Sequence, residues 1–378
     1  MMIETSAVFD AYINANILLI VAYFGWLTVT FGLDRAGFGG AHTARLSLLN
    51  GVFLAILFTP VVVVAYGAML SAGALPPGVS LSVSDFVVAQ YLNGGFAMKP
   101  TEFESVMDLR ATLSAQILSM SSVTGMVIAS ALIAGFVWFA AKLALNIRTL
   151  RSIIRDSHLW RRFGVVELRL SDRVSVPFST RGWRRRYVVI PSAMLADSAD
   201  LKMALAHEFQ HLRHSDLEWE IALEFLRPLF FWNPVFFLWK RRVEHLRELA
   251  CDQRVLATRR FDVADYCECL LRVCRDSLAR RAGGWGAVPR VALVATDGHS
   301  PATAPFLRQR FTAMLDGGRG RYSRAVNTGL MIALVLLIST VAVSIQKTGD
   351  WSHDRLMLST IVNLERLEVI NTFGQRRP

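Results

Sequence analysis

The chain has 378 residues, 53% of them apolar, a positive mean hydropathy and a formal net charge of +11. Its length would hold two ordinary soluble domains, but that apolar share is high for a protein bathed only in water and points to a membrane protein. The positive charge invites a nucleic-acid reading, but much of it sits beside apolar spans, where the positive-inside bias and anionic lipid account for it, so direct nucleic-acid binding is not expected.

The opening "MMIETSAVFDAY" has Glu4 and Asp10 and lacks the basic start of a secretory signal, so the first apolar run reads as a retained span. Crossing a hydrocarbon core takes about 20 helical residues. Four stretches qualify: Ile13 to Leu33, Leu46 to Leu70, Leu118 to Leu145 and Val326 to Ile345. Arg35 and Arg45 follow span one, Arg148, Arg151 and Arg155 follow span three, and Arg319, Arg321 and Arg324 precede span four. These segments are expected on the cytoplasmic side, with both termini outside. The domains expected are 1–147, holding three spans and an extracytoplasmic loop over 71–114; a cytoplasmic block over 148–325; a fourth span over 326–345; and a short tail over 346–378.

Within the cytoplasmic block, "VVELRLSD", "RVSVPFS" and "RRYVVIP" alternate in the manner of strands. Arg161, Arg162, Arg169, Arg173, Arg181, Arg184, Arg185 and Arg186 crowd this stretch, where a solvated juxtamembrane face is the expected role. "DSADLKMALAHEFQHLRH" follows as a helix, capped by Ser198 or Asp200. A second helix is expected from Asp216 to Leu226, ending near Pro228. Asn233 and Pro234 open a third that runs through "VEHLRELACDQRVL", and Asp262 opens a fourth. Cys251, Cys267, Cys269 and Cys274 all fall in this block; reduced, partly buried thiols are expected rather than disulfides. Gly283 to Pro305 is rich in Gly, Ala and Pro and reads as an accessible connection. No internal repeat or long low-complexity tract is evident.

The chemistry centres on "ALAHEFQHLRHSD". Residues four apart share a helix face, so His207 and His211 can direct two imidazole nitrogens at one ion, a zinc pattern. Glu208 stands beside them as general base for an attacking water. A catalytic zinc needs a third protein ligand, and His214, three residues past His211, points elsewhere. Glu244, His245, Glu248 and Asp252 offer themselves on one later helix. Of these, Glu248 is taken as the ligand and Asp252 as the carboxylate that orients a ligand histidine. An unpaired strand edge binds extended peptide by strand addition, and Ser175, Val176, Pro177 and Phe178 are the candidate substrate strand. Candidates for stabilising a transition-state oxyanion are His245 and Arg310, with Arg247 and His299.

"VSVPFS", "VVIPSAM", "LAHEFQHLRHSD", "FWNPVFFLWKRR" and "RELACDQRVL", in that order, resemble the BlaR/MecR-type membrane metallopeptidases. The likeness covers about Val165 to Thr258 together with the four-span layout. It implies a four-span α-helical membrane protein whose cytoplasmic α+β gluzincin (HExxH zincin) domain is inserted between spans three and four. Zn2+ as cofactor, His207, His211 and Glu248 as ligands, Glu208 as base and a home in the bacterial inner membrane are carried over with it.

Receptors of that family bear a penicillin-binding domain after the fourth span, whereas Gln346 to Pro378 contain no Ser-x-x-Lys motif, so direct covalent sensing of a beta-lactam by this chain is not expected. The signal is expected through the loop, the tail (whose apolar residues suggest a short amphipathic helix) or an extracytoplasmic sensor partner. The reading is a zinc endopeptidase acting on a cytoplasmic regulatory protein, such as a transcriptional repressor, or on itself. Its rivals are an HtpX-type quality-control protease and a non-catalytic zinc-stabilised receptor; "RELACD" and three spans before the motif speak against the first, and Glu208 against the second.

Overall fold

The computed structural model describes residues 5–72, 83–95, 98–282, 304–316, 324–345 and 353–374. Helices α1 (Thr5–Arg35), α2 (His42–Ser71), α5 (Val123–Asp156) and α11 (Arg324–Ser344) are each long and apolar enough to cross a membrane. They are apolar around most of their circumference, and Phe24, Phe58, Val64, Val127, Trp138 and Leu336 lie exposed on them, as a surface solvated by lipid requires. Span three begins at Val123 rather than Leu118 and runs on to Asp156. The chain breaks at Met120, in the left-handed region at φ 49°, where helix α4 (Pro100–Ser119) ends.

The chain divides into two compact units. The first comprises residues 1–25, 51–133 and 329–378. It includes α3 (Val83–Leu92), α4 and α12 (His353–Gly374), so the segment expected as a loop over 71–114 contains helices. Val88, Phe103, Leu358 and Val362 form a small core between these three helices, and Tyr91 stacks on Phe103 at 4.0 Å. The tail is therefore helical, as expected, and its apolar face packs on α3 and α4. Thr101 N–H donates to Glu365 at 3.0 Å, and Arg366 pairs with Glu104 at 2.5 Å. Gly51 on α2 gives room to the Met331 side chain of α11, since a Cβ there would meet its sulfur at 2.4 Å.

The second unit comprises residues 26–50 and 134–328, so it takes in the turn between α1 and α2 as well as the block expected from 148. Its sheet has the order β1-β2-β4-β3, with β1 (His158–Phe163) and β3 (Phe178–Arg181) antiparallel to their neighbours and β2 (Val166–Ser171) parallel to β4 (Arg186–Pro191). β1 has no apolar alternation and is exposed along its length, which is why its sequence does not announce a strand. The arginines expected on a solvated face are instead largely paired. Arg162, Arg169 and Arg185 surround the buried Glu167, and Arg181 and Arg186 hold Glu218. Burial pushes the Glu167 carboxyl up, but the hydrogen bonds and charges of Arg185 and Arg162 outweigh it and hold it below the usual range.

One face of the sheet packs on α6 (Ser198–Arg213) through Leu168, Val188, Ile190, Leu205, Phe209 and Leu212. Asp197, not Ser198 or Asp200, caps α6, its side chain accepting from the N–H groups of Ala199 and Asp200. Helix α7 (Asp216–Phe230) runs through Pro228 instead of ending there. Only the last turn follows that proline, so little of the helix depends on the bond it cannot make. Asn233 caps α8 (Pro234–Ala257), and Asp262 caps α9 (Val263–Ala282), both as expected. Met203, Cys251, Val255, Tyr266, Cys269 and Met314 fuse α6, α8, α9 and α10 (Ala304–Leu315) into one core. α5 meets this unit at Gly135, where a Cβ would strike the Phe231 ring, and at Phe139, over which Arg227 lies at 5.0 Å.

Candidate metal centre

Helix α6 presents His207 and His211 one turn apart with their Nε2 atoms 3.1 Å from each other and their rings nearly perpendicular, at 83°. Glu248, delivered by α8, places Oε2 3.4 Å from His207 Nε2 and Oε1 3.7 Å from His211 Nε2. Three donors thus face one point. Tetrahedral bonds of about 2.0–2.2 Å to nitrogen and oxygen require donor separations of about 3.4 Å, so this set fits a small divalent ion of zinc's size. Glu208 is buried at 8% exposure on the adjoining stripe of the same helix.

Behind each histidine stands a different support. Tyr266 Oη of α9 lies 2.8 Å from His207 Nδ1 and donates to Asp252 Oδ1 at 3.0 Å. Asp252 itself is 3.4 Å from His207 Nδ1 and takes both arms of Arg310, Nε at 2.7 Å and Nη2 at 2.8 Å. His211 Nδ1 meets Asp216 Oδ2 at 2.9 Å. Ser215, in the left-handed region at φ 58°, turns the chain so that Asp216, only five residues on, returns to that ring.

The electrostatics suit a cation. Burial pushes the Glu248 carboxyl up, but the hydrogen bond with His207 and the charges of His211 and Arg310 outweigh it and hold it well below the carboxylate range. Burial also raises Asp252, and Arg310 and His207 more than reverse it. Burial lowers the His211 ring, while Cys251, Asp216 and Glu248 together bring it to about 10. Facing lone pairs and buried carboxylates at this spacing are a natural anchorage for a positive ion.

A second grouping, His207, His211 and Cys251, also lies within 4.8 Å. Geometry favours Glu248. The Cys251 Sγ sits 3.5 Å from His207 Nδ1 and 3.4 Å from that residue's carbonyl oxygen, at the same ring nitrogen that Tyr266 engages, whereas Glu248 meets both Nε2 atoms.

Of the residues expected from sequence, the structure brings together His207, His211, Glu248, Asp252 and Arg310. Arg310 turns Nε and Nη2 to Asp252 and holds Nη1 3.7 Å from Glu248 Oε2, so its guanidinium is engaged by the carboxylates of the site. The His245 ring stacks on Phe306 at 4.2 Å. Arg247 donates to Glu220 at 3.0 Å, and His299 lies outside the described residues. The candidate substrate strand is corrected. Ser175 and Val176 lie in a bend and Pro177 precedes β3, because the chain turns at Asp172 and Arg173 directly after β2; only Phe178 belongs to the strand. β3 is nonetheless an edge strand and lies beside α6. Asp216, Tyr266 and Cys251 were not anticipated. The acid five residues past the second histidine was the one visible signal.

A set of three metal-type donors from α6 and α8, in a chain with four membrane-length helices, is the kind of arrangement a membrane metallopeptidase carries. The family model described as BlaR1 peptidase M56 matches residues 48–285, well over half of the chain, and the chain belongs to that family. No curated protein sequence matches it. Membership implies a metal cofactor and a peptidase activity; the match extends across α2 to α9, from the second membrane helix through the donor set.

Proposed function

We propose that the chain is a zinc-dependent endopeptidase of the inner membrane that cleaves a cytoplasmic regulatory protein, or itself, in response to a signal from outside. The observation that carries this reading is the convergence of His207 Nε2, His211 Nε2 and Glu248 on one point, with Glu208 beside them. His207, His211 and Glu248 would hold the ion. A zinc ion there supplies Lewis-acid polarisation of the scissile carbonyl and makes a water acidic enough to react near neutral pH. Glu208 takes the proton from the attacking water and passes it to the departing amide nitrogen. Tyr266, Asp252 and Asp216 hold the two imidazoles in their tautomers, leaving both Nε2 atoms as donors. The free edge of β3 accepts the substrate backbone as an added strand. Gly283 to Pro305, the segment proposed for self-cleavage, lies outside the described residues except for Ala304 and Pro305, which open α10.

The test is Glu208→Gln in the full-length protein, with cellular protein fragments compared between variant and wild type under envelope stress. The expected result is a loss of cleavage of at least about 10²-fold with zinc content unchanged. Undiminished cleavage in that variant, with the metal bound, would remove the mechanism.

A further inference from the structure

Away from the metal centre, the short turn joining α1 to α2 forms one wall of a cavity of about 380 Å³. Gly37, Gly39, Gly40 and His42 line that wall; Gln309, Thr312 and Asp316 of α10 line the other. The volume is that of a small-ligand site. The turn links two helices each long and apolar enough to cross a membrane, so the cavity adjoins their shared end.

Three features point to a phosphate at the His42 wall. His42, 9% exposed, lines the cavity and its Nδ1 is buried with no hydrogen-bond partner among the described residues. Arg45 and Arg242 lie close enough for their charges to act on that ring, and the Nε of each is likewise buried without a partner. His42 also opens α2, whose dipole favours an anion at this end, although the His42 and Arg45 N–H groups themselves donate to the Gly40 and Ala41 carbonyls. Buried donors of this kind cost free energy when left unpaired, so the His42 Nδ1 that lines the cavity marks a missing acceptor, with the two arginines standing as charges behind it rather than in the lining. Asp34 does not supply it. It is committed to Arg45 Nη2 at 2.5 Å, and its Oδ1 rests against the position a Gly39 Cβ would take.

The opposite wall carries the reverse charge. Asp316 is exposed at the end of α10 and lines the same cavity. A bare phosphate would meet this carboxylate unfavourably; a phosphate ester with an ammonium group a few atoms away satisfies both walls.

We infer that this cavity binds a phosphoethanolamine group, with the phosphate toward His42 and the ammonium toward Asp316. The binding is independent of peptidase activity. The test uses the full-length protein, delipidated in detergent, and reads its affinity for phosphatidylethanolamine and phosphatidylglycerol by native mass spectrometry. Soluble glycerophosphoethanolamine and inorganic phosphate serve as competitors. The wild type should prefer phosphatidylethanolamine. His42→Ala and Thr312→Val should weaken both lipids, the first by about tenfold, the loss of one charge-assisted hydrogen bond. Asp316→Asn, at an exposed position that leaves folding intact, should abolish the preference while sparing phosphatidylglycerol. Competition by glycerophosphoethanolamine alone identifies a soluble source for the group, and competition by neither soluble compound identifies the lipid. Equal binding of the two lipids by wild type and Asp316→Asn, or no binding of either, overturns the inference, and should His42→Ala fail to fold, the Thr312 and Asp316 variants decide it.

Discussion

The two histidines of the motif sit one turn apart on one helix, yet their backs are built on opposite plans. His211 rests on Asp216, a carboxylate five residues away that a single left-handed serine swings into place. His207 rests on a network drawn from three other helices, in which Tyr266 of α9 and Asp252 of α8 meet Arg310 of α10, 58 residues beyond Asp252. The lesson is that ligand support can be local or global in the same site. The local kind can be altered with little effect on the fold, whereas the global kind is also part of the core, since Tyr266 belongs to the cluster that joins these helices.

That contrast can be broken at several points. Arg310→Leu strands Asp252, 1% exposed, without its countercharge; the expected loss of stability is about 3–5 kcal/mol. Thermal unfolding of the variant against wild type measures it, and an unfolding midpoint no lower than that of an Asp216 variant would erase the distinction. Asp216→Ala should act on the metal instead, weakening zinc binding about 10–100-fold in a chelator competition while moving the midpoint less than Arg310→Leu does. The smallest effect concerns Asp200, on the first turn of α6, where Arg272 of α9 binds both carboxylate oxygens at 2.8 and 2.6 Å. The hydrogen bond from Arg272 outweighs burial and holds this carboxyl below its ordinary 3.8. Its contribution is therefore full above that value and fades as the pH falls through the depressed one. Arg272→Gln should flatten the acid limb of the stability curve below about pH 4, and an unchanged limb would show that α6 and α9 are not tied there.

What could be read from sequence follows the same division. His207 and His211 obey helix spacing on α6, and Glu248 and Asp252 obey it on α8, a local rule; their meeting across the two helices is tertiary. Asn233 and Asp262 cap the helices they precede, again by local chemistry. Tyr266 was hidden because nothing near it in sequence marks a ring hydroxyl aimed across the core at His207. Arg310 is visible as a charge, but its partners depend on where α10 docks, and no local pattern shows that its fork meets Asp252 and faces Glu248. The strand expected over 173–179 failed because its apolar alternation belongs to a bend followed by a four-residue edge strand. β1 escaped notice for the opposite reason, as its pairing with β2 owes nothing to a buried face.

The reach of Arg310 also has a meaning in time. A ribosome adds about 5–20 residues each second, so the 58 residues between Asp252 and Arg310 separate their appearance by roughly 3–12 s. Throughout that interval the nascent chain already carries both histidines and Glu248, while Asp252 waits for its guanidinium. The support of His207 is therefore completed only when α10 arrives, near the end of the unit's synthesis.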